Sequence, residues 1–103
     1  MGKKEAINIA KKFSEKAINV LKADEIILFG SYARGTNHKD SDIDIALVIN
    51  NNKYNFFKAY AKLSEICREI DTRIEPIILE RNKDFSGFLE MIQKEGIVVY
   101  KAA

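Results

Sequence analysis

Two apolar runs, residues 25–29 and 42–49, are joined by a connection over residues 30–41 that holds no element long enough to cross a sheet. That connection goes into a Gly30-Ser31 turn, a short helix over Tyr32-Ala33-Arg34 that Ser31 caps and Gly35 stops, and a polar loop from Thr36 to Ser41. A parallel pairing needs a full crossover, so the two runs predict neighbouring antiparallel strands. After an Asn50-Asn51-Asn52 turn, residues 54–70 carry Phe56, Tyr60, Leu63, Cys67 and Ile70 along one helical stripe. A third strand, Arg73 to Leu79, follows that helix as in a right-handed parallel crossover. Pro76 interrupts it and has no N–H to donate, which predicts an edge or a bulge there.

The flanks complete the pattern. Ile7, Ala10, Phe13, Ala17, Val20 and Leu21 recur at helical spacing, so residues 3–22 read as a helix. Residues 84–95 read as a last helix with Phe85, Phe88, Leu89 and Ile92 inward, ended by Gly96, and residues 97–100 as a short closing strand. The order α-β-α-β-α-β-α-β predicts one α/β (α+β) domain over residues 1–103 with a mixed sheet. At 103 residues such a chain buries about 60–68 % of its unfolded surface, enough for one core.

Composition removes several function classes. No apolar run approaches the roughly 18 residues of a membrane span, so no membrane partner is expected. Met1-Gly2-Lys3-Lys4-Glu5 leads into an amphipathic segment, not a signal peptide, and the single cysteine, Cys67, excludes an internal disulfide; both fit the cytoplasm. Cys67 falls on an apolar helix stripe and reads as core. A net charge of +2 argues against direct nucleic-acid binding. Residues 1–22 hold six lysines against two glutamates, which reads first as a solvated helix face and second as a docking surface for an acidic partner. Association between copies is left open.

The topology gathers three segments at one end of the sheet: the end of the first strand with Gly30-Ser31, and the starts of the second and third with Asp42, Asp44 and Glu75. Asp42 and Asp44, two apart on a strand, share a face with Cα atoms about 7 Å apart, while Ile43, Ile45 and Leu47 face the helices. Two such carboxylates suit a divalent cation that also bridges phosphate oxygens, and two ions about 4 Å apart can clamp both attacking and leaving oxygens. Glu75 alternates onto the face of Ile77 and Leu79 and can add a third carboxylate, as metal ligand or as base for an attacking hydroxyl. Gly30 permits close backbone approach to a phosphate, Ser31 adds a hydroxyl at a helix start, and Arg34 and Lys39 stand beside that turn to neutralise a triphosphate. The pattern describes a site for a metal–nucleoside triphosphate.

Taken singly, each piece reads more simply as a turn with an N-cap, a solvated strand edge or ordinary loop charges. Together, four fixed positions at about 5–7 % usage each recur by chance on the order of once per thousand such chains. Asp40, Asp42 and Asp44 also alternate as in a calcium loop, but Ile45 stands where that loop needs glycine and Asn51 where it needs a bidentate glutamate. His38 is the sole histidine and reads as a solvated loop residue; no zinc cluster or histidine-dependent triad can be built on it.

Gly30-Ser31-Tyr32-Ala33-Arg34-Gly35 followed by Ser41-Asp42-Ile43-Asp44-Ile45-Ala46-Leu47-Val48 resembles the signature of the polymerase-beta-like nucleotidyltransferase superfamily, and the small size is most similar to its minimal nucleotidyltransferase (MNT) branch. The resemblance covers essentially the whole chain in element order. It implies a mixed sheet with the carboxylates on its open side, Mg²⁺ (with Mn²⁺ as a substitute) and a nucleoside triphosphate, commonly ATP. Residue by residue, it implies that Gly30 and Ser31 hold the triphosphate and that Asp42 and Asp44 bind metal. Ile74-Glu75-Pro76 occupies the place of the third carboxylate, which is often Asp in relatives. Minimal members are commonly paired with a HEPN-domain toxin, and the resemblance implies an antitoxin that transfers AMP to a tyrosine of that partner. Two other readings stand beside it: a nucleotidyltransferase acting on a small molecule, as in aminoglycoside-modifying relatives, and a non-enzymatic antitoxin or nucleotide-binding module that only docks.

Overall fold

In the computed structural model, which describes residues 1–50, 54–84 and 86–103, the elements run α1 (Lys3–Ala17), β1 (Glu25–Phe29), α2 (Ser31–Arg34), β2 (Ile43–Ile49), α3 (Phe56–Ile70), β3 (Ile74–Glu80), a 3-10 turn (Arg81–Lys83), α4 (Phe88–Glu95) and β4 (Ile97–Lys101). The sheet order is β3-β2-β1-β4. β1 pairs antiparallel with β2 and with β4, and β2 pairs parallel with β3, so the expected mixed sheet is present. Pro76 lies in β3, an edge strand, where its missing donor costs least.

The two faces of the sheet are covered unequally. On one, Ile26 and Leu28 of β1, Ile43, Ile45, Leu47 and Ile49 of β2, and Ile74 and Ile78 of β3 pack with Ala6, Ala10, Phe13 and Ala17 of α1 and Ala59, Leu63 and Cys67 of α3. Burial pushes the Cys67 thiol up to about 11, with Glu75 adding to the shift, so it stays protonated and inert at neutral pH. On the other face, Ile27, Ala46 and Val48 pack with Leu89 and Ile92 of α4, flanked by Phe29, Ile77, Leu79 and Phe88. Phe29 and Phe88 meet edge to face with ring centroids 5.9 Å apart. This second face is therefore only partly open: α4 closes its apolar part and leaves the end carrying Asp44 and Glu75.

Several boundaries differ from the sequence reading. α1 stops at Ala17, not residue 22: Asn19 and Val20 donate to Lys16 and Ala17 in tight turns, which lets the buried Leu21 and Ala23 enter the core from outside the helix. β2 begins at Ile43, so Asp42 precedes the strand. α3 begins at Phe56 because Asn55 caps it, its side chain accepting from the Lys58 N–H at 3.2 Å; Tyr54 lies outside and its hydroxyl accepts from the Lys22 N–H. β3 starts at Ile74 and extends to Glu80. α4 begins at Phe88, not residue 84, and Asp84 instead accepts from the Leu89 and Glu90 N–H groups at 2.9 and 3.2 Å, satisfying the open helix start from a distance. The expected inward Phe85 and the turn residues Asn51 and Asn52 lie outside the described residues.

Candidate functional site

The register brings the predicted carboxylates to one end of the sheet. Phe29 pairs with Asp44 across β1 and β2, and Asp44 pairs with Glu75 across β2 and β3. Asp44 and Glu75 thus sit side by side on the face that α4 shares, with Asp42 just ahead of the strand. Asp42 and Glu75 are exposed and Asp44 is half-buried. The turn into β2 is fixed by the buried Ser41: its hydroxyl accepts from the His38 N–H at 2.9 Å, its own N–H donates to the His38 carbonyl, and Ile43 N–H donates to the Arg73 carbonyl at 2.9 Å. Ser41 and Arg73 are positioning residues that the sequence reading did not single out; a serine immediately before Asp42 was the available signal. His38 is an exposed loop residue, as expected.

Gly30 holds a second constraint. Its backbone, φ 77° and ψ −155°, lies in a region open essentially to glycine alone. A Cβ there would overlap the Asp44 carboxylate oxygen and come within 3.1 Å of its Cγ. Glycine at this place lets the β1–α2 turn pass directly against Asp44, the close approach a bound phosphate beside that carboxylate would need. Gly30, not Ser31, occupies the cap position of α2; Ser31 is the first helical residue and makes no side-chain cap. The reason is that the left-side backbone only glycine accepts already turns the chain into the helix. Tyr32 is buried in the core beneath, and Gly35 ends the helix in the left-handed conformation as expected.

Electrostatics separate Asp44 from its neighbours. Burial raises its carboxyl above the usual range, the charges of Asp42 and Glu75 raise it further, and only Arg34 opposes them. Arg34 is near enough to act on Asp44, while its guanidinium lies 4.0 Å from Glu95 at the end of α4. Lys39 stands exposed in the loop, with no ion pair among the described residues.

Three carboxylates that repel one another, with no lysine or arginine salt-bridged to any of them among the described residues, form a hard-oxygen donor set suited to a divalent cation. They are gathered within electrostatic reach rather than at ligating distance: no group of three acidic, histidine or cysteine side chains among the described residues is already close enough to grip an ion. The donor chemistry fits a metal that also takes oxygens from a phosphate ligand, as Mg²⁺ does when bound through one or two carboxylates. A separate concavity lies at the other end of the sheet, lined by Lys22, Asp24, Ile49, Asn50 and Tyr54. Among the aromatic residues, Tyr32 is buried, Phe56 half-buried and Phe57 86 % exposed.

Residues 7–103 match the family described as Polymerase beta, Nucleotidyltransferase. Over 101 residues the sequence is 32 % identical to a Methanocaldococcus jannaschii protein named "Putative protein adenylyltransferase", with 92 % of this chain and 99 % of that one aligned. Two solved structures share the fold. One, described as a "putative nucleotidyltransferase" from Sulfolobus solfataricus, has a TM-score of 0.67 at 24 % identity and covers 96 % of this chain and 83 % of that one. The other is a tri-AMPylated Shewanella oneidensis HEPN toxin in complex with an MNT antitoxin, with a TM-score of 0.54 at 21 % identity over 87 % of this chain and 71 % of that one. No described helix is long and apolar enough to cross a membrane.

Proposed function

The chain belongs to the polymerase beta nucleotidyltransferase family, and from that membership we propose that it transfers AMP from ATP, with Mg²⁺, to a tyrosine hydroxyl of a HEPN-type toxin and so acts as its antitoxin. The observation that carries the reading is the register of Asp44 beside Glu75, with Asp42 two residues before Asp44 and Gly30 turned against Asp44. Its support from relatives is the adenylyltransferase name of the M. jannaschii protein, aligned along nearly its full length, and the AMP-modified HEPN toxin bound to an antitoxin of the same fold.

Asp42, Asp44 and Glu75 would hold the metal, which when bound supplies the positive charge that neutralises the triphosphate and acidifies the attacking hydroxyl. The Gly30 turn admits the triphosphate against the sheet end, Ser31 donates its hydroxyl, and Arg34 and Lys39 balance phosphate charge. The acceptor oxygen attacks the α-phosphorus, the bond to the bridging oxygen breaks, and pyrophosphate leaves. The hydroxyl proton goes to Glu75, one of the two exposed carboxylates of the set.

Mixing the chain with a HEPN partner and Mg²⁺-ATP tests this: each transferred AMP adds about 329 Da to the partner by mass spectrometry, as nucleotidyl transfer to a hydroxyl requires. An unmodified partner silenced by stoichiometric binding overturns the enzyme reading in favour of a docking module. Efficient transfer to small alcohols without the partner overturns the choice of protein acceptor.

A further inference from the structure

Arg34 is the cation nearest the carboxylates on the α2 side, and its one ion pair among the described residues is with Glu95, Nη1 to Oε2 at 4.0 Å. Both side chains are about half exposed, 47 % and 46 %. Their backbones are far less free. Glu95 ends α4, and the next residue, Gly96, is pressed onto β1: a Cβ there would lie 2.5 Å from Ile27 Cγ2 and the Ile92 carbonyl and 2.9 Å from the Leu28 carbonyl. The Gly96 N–H donates to Ile92 at 2.7 Å, closing the last turn of α4 on the same strand. β1 runs on through Gly30 into α2, which carries Arg34. The same strand therefore sets where both partners stand, so the facing of Glu95 and Arg34 follows from the packing rather than from two loose surface chains.

We propose that Glu95 is a positioning residue that competes with nucleotide phosphates for Arg34, holding the guanidinium aside from the carboxylates until a triphosphate takes it. The inference rests on the nucleotide reading of the site. A solvent-exposed pair of this length is weak, so the more highly charged phosphates displace it readily. Breaking that pair is the cost of binding, which the triphosphate overcomes through its greater charge.

Calorimetric titration with Mg²⁺-ATP tests this without any acceptor or turnover. Glu95→Gln should tighten binding by about two- to fivefold, the range of an exposed ion pair. The gain should vanish in an Arg34→Ala background, because nothing remains for Glu95 to withhold. Glu90→Gln, which removes an acid on the same helix that is paired with no cation among the described residues, should leave affinity unchanged. An unchanged Kd for Glu95→Gln overturns the inference. So does an equal gain in the Arg34→Ala background or from Glu90→Gln, either of which marks a general charge effect. A wild-type chain that does not bind Mg²⁺-ATP overturns the nucleotide reading itself, a separate outcome from an unresponsive Glu95.

Discussion

The two ends of the sheet treat acidic side chains in opposite ways. At the end away from Gly30, Asp24 and Glu25 are both met by Arg81, at 2.6 and 3.1 Å, and Arg81 also donates to Asn50 at 3.1 Å. That cluster ties the segment after β3 to the start of β1. At the Gly30 end, Asp42, Asp44 and Glu75 gather, and burial with like charge raises the Asp44 carboxyl. Carboxylates kept for stability are neutralised within the fold, because an uncompensated half-buried charge costs free energy. Asp42, Asp44 and Glu75 have no salt-bridge partner among the described residues, and only Arg34 acts against the raised Asp44 carboxyl. The difference marks the site more sharply than the motif does, since Asp24-Glu25 is as acidic a dipeptide as any in the sequence.

Replacing Asp42 and Asp44 together by Asn is the strongest way to break this comparison. If they hold the metal, as proposed, nucleotidyl transfer should fall by about 10³-fold or more with no loss of Tm, since Asp42 is exposed and the raised Asp44 carboxyl has no ion pair among the described residues. A parallel loss of Tm would place the two ends in one class. Glu75→Gln should lower the chemical step by roughly 10²-fold or more while retaining most Mg²⁺-ATP affinity, read by single-turnover kinetics beside calorimetry. Wild-type turnover would return Glu75 to the role of an ordinary surface charge.

Gly30→Ala joins the backbone to the comparison. Its glycine-only conformation and the overlap with Asp44 predict a loss of about 2–4 kcal/mol in denaturant unfolding, together with lost nucleotide binding. At the other end, Arg81→Ala should cost about 1–2 kcal/mol, discounted for its partial exposure, and leave transfer per folded molecule unchanged. The smallest effect sharpens the contrast through pH. Because burial and the charges of Asp42 and Glu75 raise the folded Asp44 carboxyl above its ordinary value, the stability linked to its protonation is fully present below the ordinary carboxylate range and lost as pH rises through the raised folded value. Asp44→Asn should therefore raise Tm at pH 7, and the gain should disappear in acid, below the ordinary carboxylate range.

Much of the arrangement was legible because it depends on local period and connection length. β1 falls over the expected residues 25–29, Pro76 lies in an edge strand, and the short link over residues 30–41 pairs β1 with β2 antiparallel. The stripes of α1 and α3 that read as apolar contribute Ala10, Phe13, Ala17, Leu63 and Cys67 to the core. What failed has a physical cause at each place. Leu21 continues the helical spacing of α1, yet it reaches the core from a turn, because buried position and helical conformation are separable. Ser31 has a capping side chain, but the unusual backbone of Gly30 takes the cap position first. The start of α4 moved to Phe88 because Asp84 caps across an intervening turn, a contact that spacing alone does not reveal.

From its residues alone, the chain determined a mixed-sheet domain with Gly30, Asp42, Asp44 and Glu75 drawn to one end, since strand alternation and short connections are properties of neighbouring residues. Three further facts belong to the tertiary structure: that β4 pairs with β1, that α4 closes the apolar part of the carboxylate face, and that Glu95 faces Arg34. Each joins residues far apart in the sequence, and such meetings are set by how buried faces pack together rather than by any local pattern.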